Sequence, residues 1–233
     1  MVNKTPKLGA IIAAAGDSQR MGNLSKIFAL LKDKPLLAWS IDTCQKCDLI
    51  NQIVIALRSE DLELGQKLAR ERAWTKVSDI YPGGSLRQDS VKRGLHKLVN
   101  CTWVMIHDGA RPFLTVNLIQ KGIEAARETG AAIAAVPVKE TIKFANDTEI
   151  IEKTLQRSKL WIAQTPQMFK FEIITKAYEA LNVEVTDDAA AVELLGYKVK
   201  LYPGTYQNIK ITTPADLSLA EVIASDVESG HRL

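Results

Sequence analysis

Short runs of apolar residues alternate with longer amphipathic stretches over the first 136 positions of the chain. The apolar runs are continuous, as in strands that are buried on both faces of a parallel sheet. Strand and helix patterns in alternation predict an α/β fold, with a mostly parallel, twisted sheet and helices on both faces. The predicted strands are Leu8–Ala14, Gln52–Leu57, Val77–Tyr81, Trp103–His107 and Ala131–Val136.

The amphipathic stretches between these strands predict helices. One helix begins at Pro35. The next spans Ser59–Arg72, with Ser59 as the N-cap and acidic residues in its first turn. Two more span Arg87–Leu98 and Thr115–Glu128. Each follows one strand and precedes the next, as the alternation requires.

The regular alternation ends after Pro137. Residues 138–158 contain two β-like segments on either side of Asn146-Asp147, a pair suited to a two-residue turn with positive φ. Because an isolated hairpin is only marginally stable in water, this one should pack on something. It either folds back on its own domain or forms an arm that grips a second subunit. Its apolar residues are Ile142, Phe144, Ile150 or Ile151, and Leu155.

The C-terminal part returns to short elements without a visible linker or repeat. A helix is predicted from about Lys170 to Leu181, and a second helix, capped by Thr186, ends at Gly196. Short strands are predicted at Val199–Tyr202 and Asn208–Ile211, and Thr213-Pro214 opens a last helix. We therefore expect a single domain over residues 1–233, with 138–158 as an excursion from it.

Composition narrows the function classes. The 233 residues carry a formal net charge of +3 and no dense run of Lys and Arg, so charge does not indicate a nucleic-acid partner. No apolar run approaches the roughly 18 residues of a membrane span, and the first residues lack a signal-peptide pattern. We therefore expect a cytoplasmic protein.

Three cysteines agree with a reducing compartment, because an odd count argues against a disulfide framework. Cys44 and Cys47 form a C-x-x-C, but no second ligand pair accompanies them. We interpret them as free thiols near a helix end.

The segment Ile11–Lys26 is the strongest candidate for phosphate binding. A buried strand leads into a loop where Gly16 leaves room for a phosphate, and where Arg20 and Lys26 supply positive charge. The loop is not a P-loop, since Asn23 stands where that motif has lysine. It is not a dinucleotide fingerprint either, since the middle glycine is Ser18. A surface turn with solvated cations remains an alternative on this pattern alone.

A second candidate follows the strand at Trp103–His107. Asp108 stands at the carboxyl end of this strand, where it could hold Mg²⁺ against phosphate oxygens, or instead cap a turn. We expect His107 to pack or hydrogen-bond locally rather than act as a base. Weaker candidates are the Gly83-Gly84 pair with Ser85 and Ser90, Thr165 in QTPQMF, and Lys210 in NIKITTP.

Six of these segments, in order, resemble the 2-C-methyl-D-erythritol 4-phosphate cytidylyltransferases, the CTP-using enzymes of the non-mevalonate isoprenoid pathway. The resemblance extends from about Leu8 to Ala224. It rests on AAAGDSQRMG, PGGSLRQDSV, HDGARPF, AQTPQMF, TDDAAAVELLG and NIKITTPADL.

The resemblance implies roles on the nucleotide side of a site. Arg20 and Lys26 would stabilise charge on the phosphates in the transition state. Asp108 would lie beside the α-phosphate and hold Mg²⁺, the implied cofactor. The implied CTP-binding residues are Ala14, Ala15, Gly16, Gly83, Gly84, Ser85, Ser90 and Asp108.

The resemblance also implies the sugar-phosphate side. Lys210 and Arg157 are further implied catalytic residues. Arg157 matches a residue that reaches the sugar phosphate in the neighbouring subunit, which favours a homodimer arm at 138–158. The implied binding residues are Arg111, Thr141, Thr165 and Thr186.

Taken together, the resemblance implies a single Rossmann-like nucleotidyltransferase domain that transfers CMP from CTP to 2-C-methyl-D-erythritol 4-phosphate and releases pyrophosphate. Ribitol 5-phosphate cytidylyltransferase is the nearest alternative, because it shares the fold, CTP and the arm. An NAD-dependent oxidoreductase and a non-catalytic nucleotide sensor are more distant alternatives. No nucleic acid and no membrane is expected among the partners.

Overall fold

A seven-stranded sheet forms the centre of the computed structural model, which describes residues 7–16 and 25–228. The strands are, in chain order, β1 (Leu8–Ala13), β2 (Leu30–Leu31), β3 (Lys34–Pro35), β4 (Ile50–Leu57), β5 (Val77–Pro82), β6 (Trp103–Asp108), β7 (Ala131–Pro137), β8 (Lys143–Ala145), β9 (Ile151–Thr154), β10 (Trp161–Lys170) and β11 (Lys200–Pro203). The central sheet has the order β11-β7-β10-β6-β1-β4-β5, and the two small pairs β2-β3 and β8-β9 stand apart from it.

The sheet is mostly parallel, as predicted, with one exception. Strand β10 runs antiparallel to both of its neighbours, β6 and β7. Strand β1 lies at the centre, parallel to β4 on one side and to β6 on the other. Its residues are almost all fully buried, which explains the unbroken apolar run in the sequence.

Helices cover both faces of the sheet. They are α1 (Leu36–Lys46), α2 (Leu62–Glu71), α3 (Arg87–Leu95), α4 (Val116–Thr129), α5 (Phe171–Ala180), α6 (Asp188–Leu194) and α7 (Pro214–Glu228). Side chains alternate along β1: Ala10 and Ile12 pack with residues of α1, α2 and α4, whereas Ile11 packs with residues of α3, α5 and α6. Helix α7 closes a smaller third cluster with β2.

The segment after Pro137 forms the predicted hairpin, but its turn differs from the prediction. The turn spans Asn146 to Ile150, and the residue with positive φ is Glu149, at 62°. The Asn146 side-chain oxygen accepts hydrogen bonds from the backbone N–H of Thr148 and of Ile150. This asparagine therefore organises a longer turn than the two-residue type, because its side chain replaces a backbone acceptor.

Three further local predictions were wrong. Ser59 is not an N-cap; it is the first residue of a 3-10 turn, Ser59–Asp61, which precedes α2. Helix α6 is capped by Asp187 rather than by Thr186, since the Asp187 carboxylate accepts from Ala190 N–H at 3.0 Å. The segment 208–211 is an extended loop and not a strand, although Ile211 N–H donates to the Ala110 carbonyl.

Candidate active site

The candidate site lies where the strand order of the sheet reverses. From β1 the chain proceeds to β4 on one side and returns to β6 on the other side, so the carboxyl ends of β1 and β6 border a crevice. Ala13 at the end of β1 pairs with Asp108 at the end of β6. This topology therefore places Ala14, Ala15 and Gly16 near Asp108.

A cavity of about 500 Å³ opens at this edge of the sheet. It brings together predicted site residues from five separate parts of the sequence. The predicted residues that line it are Ala14, Ala15, Gly16, Lys26, Gly84, Ser85, Ser90, Asp108 and Lys210.

A second cavity of about 210 Å³ adjoins the first. It contains Arg111, Thr165 and Thr186, which were predicted to bind the sugar phosphate. Both cavities share three lining residues: Arg87, Asp108 and Lys210. These three side chains therefore form the boundary at which two substrates would meet.

Asp108 is the electrostatic centre of this boundary. Its Oδ1 lies 3.1 Å from Arg87 Nε, and its Oδ2 lies 3.0 Å from Lys210 Nζ and 3.5 Å from Arg111 Nε. Burial by itself would raise the pKa of the Asp108 carboxyl, but Arg87, then Lys210 and Arg111, lower this pKa well below its ordinary value. Asp108 is therefore ionised at any pH near neutrality.

Positive charge exceeds negative charge around the cavity. Burial, and then the neighbouring Lys210, lower the pKa of the Lys26 ammonium. Arg111 Nε is buried and has no hydrogen-bond partner among the described residues, while its Nη1 donates to the Asn208 carbonyl at 2.8 Å. A buried donor without a partner is costly, so an incoming anion would be favoured here.

The Gly83-Gly84 pair allows close packing of the loop against the end of β1. A Cβ on Gly83 would stand 2.2 Å from Ala15 Cβ, so a larger residue would displace the cavity wall. The Ser90 hydroxyl accepts from Gly84 N–H at 3.0 Å and is 3% exposed. Ser90 thus shapes this loop, while Ser85 binds the Asp89 carboxylate at 3.0 Å.

His107 makes local hydrogen bonds, as predicted. It is fully buried, and its Nε2 donates to the Arg111 carbonyl at 3.0 Å, so its Nδ1 must accept from the Thr165 hydroxyl, also at 3.0 Å. Burial lowers the pKa of this imidazole to about 4, which keeps it neutral. The Thr165 oxygen in turn accepts from Asp108 N–H at 3.0 Å. Thr165 has therefore no proton left to donate to a ligand.

Some predicted residues do not join these cavities. Thr141 and Arg157 are exposed at the base of the hairpin, where an Arg157 Nη1 donates to the Lys139 carbonyl at 2.6 Å. They line neither cavity of their own chain. Arg20 and Ser18 lie outside the described residues, so the catalytic role of Arg20 stays a prediction.

Sequence reasoning missed Arg87 and Asp188 as residues of the site. Arg87 was predicted only as the first residue of a helix, yet its side chain reaches across the crevice to Asp108. Its position directly after the Gly83-Gly84 loop was the available signal, since a cation there points toward the same strand ends. Asp188, which also binds Arg87, had no comparable signal.

The residues present fit a magnesium ion that arrives with a nucleotide. In the parts of the chain that are described, no cluster of three or more His, Cys, Asp or Glu could hold a metal ion. Asp108 is the one carboxylate among the described residues that line the first cavity. One carboxylate together with substrate phosphates is a usual ligand set for Mg²⁺.

The described ranges, 7–16 and 25–228, contain no helix that is both long and apolar enough to cross a membrane. The interpretation of Cys44 and Cys47 as free thiols near a helix end is confirmed, because both are buried free cysteines at the end of α1.

Comparison with known proteins agrees with the geometry. The family model for IspD, 2-C-methyl-D-erythritol 4-phosphate cytidylyltransferase, matches residues 8–226. A 2-C-methyl-D-erythritol 4-phosphate cytidylyltransferase of Dehalococcoides mccartyi is 48% identical over 217 residues, which are 93% of this chain and 96% of the relative. A bifunctional IspD/IspF enzyme of Desulforudis audaxviator is 40% identical, and the match covers 93% of this chain and 56% of that protein.

Solved structures show the same fold. The 4-diphosphocytidyl-2C-methyl-D-erythritol synthase of Anaerococcus prevotii superposes with a TM-score of 0.84 at 30% identity, covering 95% of this chain and all of the other. The cytidylyltransferase of Thermus thermophilus gives a TM-score of 0.77 at 30% identity, with 93% and 98% covered. These comparisons confirm the predicted fold class and favour the predicted activity over its alternatives. The chain belongs to the 2-C-methyl-D-erythritol 4-phosphate cytidylyltransferase family and is a nucleotidyltransferase.

Proposed function

We propose that this chain transfers CMP from CTP to 2-C-methyl-D-erythritol 4-phosphate at the carboxyl ends of β1 and β6. The observation that carries the proposal is the pair of adjoining cavities that meet at Asp108 and Lys210. A nucleotide would occupy the larger cavity and the sugar phosphate the smaller one. Their phosphates would then meet at the shared boundary.

The reaction requires one bond to form and one to break. An oxygen of the sugar phosphate attacks the α-phosphorus of CTP, and the bond from that phosphorus to the bridging oxygen breaks as pyrophosphate leaves with the electron pair. A phosphate monoester is already anionic at pH 7, so no general base is needed. The neutral, fully buried His107 agrees with this, because its ring nitrogens are occupied by Thr165 and Arg111.

Catalysis would then depend on alignment and on fixed positive charge. Lys26 and Lys210 line the larger cavity, where they would stabilise charge that develops on the α-phosphate and on the pyrophosphate. Arg111, whose buried Nε lies 3.5 Å from Asp108 Oδ2 without a hydrogen bond, would bind the sugar phosphate in the smaller cavity. We include Arg20 in the phosphate set on the strength of the sequence alone.

Mg²⁺ is proposed as the cofactor, held by Asp108 and the CTP phosphates. When bound, it would withdraw negative charge from the phosphates and so favour attack on them.

The hairpin is proposed as a dimer arm that carries Arg157 and Thr141 to the sugar phosphate of a second copy. Both residues are exposed and line neither cavity of their own chain, and the hairpin also exposes apolar side chains. Phe144, Ile150 and Ile151 are 48%, 63% and 59% exposed. An apolar patch of this kind on a marginal hairpin is typical of an interaction site.

Pyrophosphate release tests the proposed activity. The purified chain with CTP and Mg²⁺ should release pyrophosphate when 2-C-methyl-D-erythritol 4-phosphate is present, with little release when ribitol 5-phosphate replaces it. A preference for ribitol 5-phosphate would assign the alternative substrate. CTP binding without turnover on either sugar would contradict the proposal.

A further inference from the structure

Arg87 joins two buried carboxylates that belong to different parts of the fold. Its Nε lies 3.1 Å from Asp108 Oδ1 at the end of β6, and its Nη2 lies 2.8 Å from Asp188 Oδ2 at the start of α6. Asp188 is fully buried, with 0% of its surface exposed to solvent. A guanidinium can serve two carboxylates at once because its donors form a planar fork.

A second side chain, on the core side of Asp188, also contacts its carboxylate. Its Oδ1 accepts from the hydroxyl of Tyr178 on α5 at 2.6 Å, and Tyr178 is 2% exposed. The start of α6 is fixed to β10 as well, since Gln167 accepts from Ala189 N–H at 3.1 Å. The order of contacts is therefore Tyr178, Asp188, Arg87, Asp108, from the core to the cavity.

We propose that Asp188 and Tyr178 are positioning residues for cytidylyl transfer, which act through Arg87 to fix the carboxylate of Asp108. The inference deepens the proposed function and rests on it. Neither Asp188 nor Tyr178 lines the larger cavity, so neither is assigned a contact with CTP. Arg87 lines both cavities, but two of its nitrogens are already bound to carboxylates, which assigns it to the wall rather than to the phosphates.

The charges around Asp108 explain why Arg87 would need to be held by Asp188, a contact that we call the anchor. Asp108 faces three cations, Arg87, Arg111 and Lys210, and could turn toward any of them. Asp188 binds Nη2 of Arg87 and thereby leaves Nε of the same guanidinium to face Asp108. Since a small displacement at a reacting centre can cost about 100-fold in rate, the anchor would affect kcat more than the KM for CTP.

Isosteric changes test this without opening a cavity. Asp188→Asn removes the charge at constant shape, and Tyr178→Phe removes one hydroxyl. We expect Asp188→Asn to lower kcat by about 10- to 100-fold, as removal of a supporting contact does, with the KM for CTP changed less than about threefold. The loss in Tyr178→Phe should be smaller. Tyr202→Phe is the matched control, because Tyr202 is 3% exposed and its hydroxyl donates to the Pro166 carbonyl at 2.8 Å, outside this chain of contacts.

A double-mutant cycle separates positioning from general destabilisation. If Asp188 acts through Arg87, Asp188→Asn should cost less than about twofold in kcat when Arg87→Met is already present. The same 10- to 100-fold loss in both backgrounds would overturn the proposal. So would a loss in Tyr202→Phe equal to that in Tyr178→Phe.

The Nε–H resonance of Arg87 in ¹H–¹⁵N spectra gives a readout that does not depend on turnover. The signal should be resolved and protected from exchange in the unaltered chain and in Tyr202→Phe, and lost in Asp188→Asn. An unchanged signal in Asp188→Asn would overturn the proposal, whatever the activity. Absence of pyrophosphate release by the unaltered chain would instead contradict the proposed function, while the resonance would still report on the anchor.

Discussion

The two regions assigned to substrate binding differ in how firmly their own chain holds them. At the cavities, Asp108 contacts three cations and Thr165, and both Asp108 and Thr165 are buried. The hairpin of β8 and β9 forms a separate two-stranded sheet, and every residue of both strands is exposed. The cavity residues are thus held within one chain, whereas the described residues of that chain leave both hairpin strands exposed.

This difference suggests separate roles for the cavities and the hairpin. Electrostatic stabilisation of a transition state requires groups that are fixed before reaction, and the buried cavity residues meet that requirement. A hairpin that gains its packing only from a second copy would make part of the site depend on association. The predictions below test each side of the comparison separately.

The largest expected effect is at the lysines of the cavity. Lys26→Ala and Lys210→Ala should each lower kcat by about 10²- to 10³-fold, because each removes one preorganised cation. Steady-state pyrophosphate release measures this. Lys121→Ala, an exposed position on α4, is the control and should retain full activity. Near-normal turnover in both cavity variants would contradict the roles proposed for these lysines.

A smaller effect is expected at the arm. Ile151→Asp places a charge on the apolar face of the hairpin and should raise the Kd of the dimer by roughly 30-fold, the equivalent of one hot-spot contact of about 2 kcal/mol. Sedimentation equilibrium measures it. Val222→Asp on α7 is the matched control, because Val222 and Ile151 are both 59% exposed. If Val222→Asp dissociates the protein and Ile151→Asp does not, the arm is wrongly assigned.

The smallest effect concerns the loop that carries Lys210. Asp216 at the start of α7 accepts from Thr212 N–H and Thr213 N–H, both at 2.8 Å, and so ties down the end of this loop. A capping contact of this kind contributes about 1 kcal/mol, so Asp216→Asn should lower Tm by about 2–4 °C at pH 7.

The pH dependence of that effect has a definite sign. Hydrogen bonds from Thr212 and Thr213 lower the pKa of Asp216 to about 2, from 3.8. A carboxylate whose pKa is lower in the folded state stabilises the fold above its unfolded pKa and loses that contribution as the pH falls through its folded pKa. The Tm difference between Asp216→Asn and the unaltered chain should therefore shrink between about pH 4 and pH 2. A difference that is constant with pH would show that the charge plays no part.

The sequence predicted the strands β1, β4, β5, β6 and β7 close to their observed bounds, but it did not predict β10 of the same sheet. Strands such as β1 and β6 are buried on both faces, so their apolar runs have few other interpretations. The prediction of Asp108 as a site residue followed from the same logic, because it stands at a strand end. Where two neighbouring residues could make the same local interaction, the sequence did not show which of them makes it. Thr186 and Asp187 can both cap a helix, and only the structure shows that Asp187 does.

The contacts that link Arg87 to Asp188 and Tyr178 could not be read from the sequence. They join positions 87, 108, 178 and 188, which meet because β10 inserts antiparallel between β6 and β7 and carries α5 and α6 behind it. No local pattern specifies that insertion. The prediction of a strand at 208–211 was wrong for a related reason. An alternating apolar pattern fits a strand, but it also fits a loop that packs Ile211 into a core.

The central claim is that the cavities of one chain and the arm of another form one catalytic site. Mixed dimers of Lys210→Ala and Arg157→Ala chains test it most directly, because half of the mixed dimers' sites would combine an intact cavity with an intact arm. Each variant alone should have low activity. Random exchange of the two should restore about a quarter of the activity of the unaltered chain, since half of the dimers would be mixed. Activity that stays at the average of the two separate variants would contradict the claim.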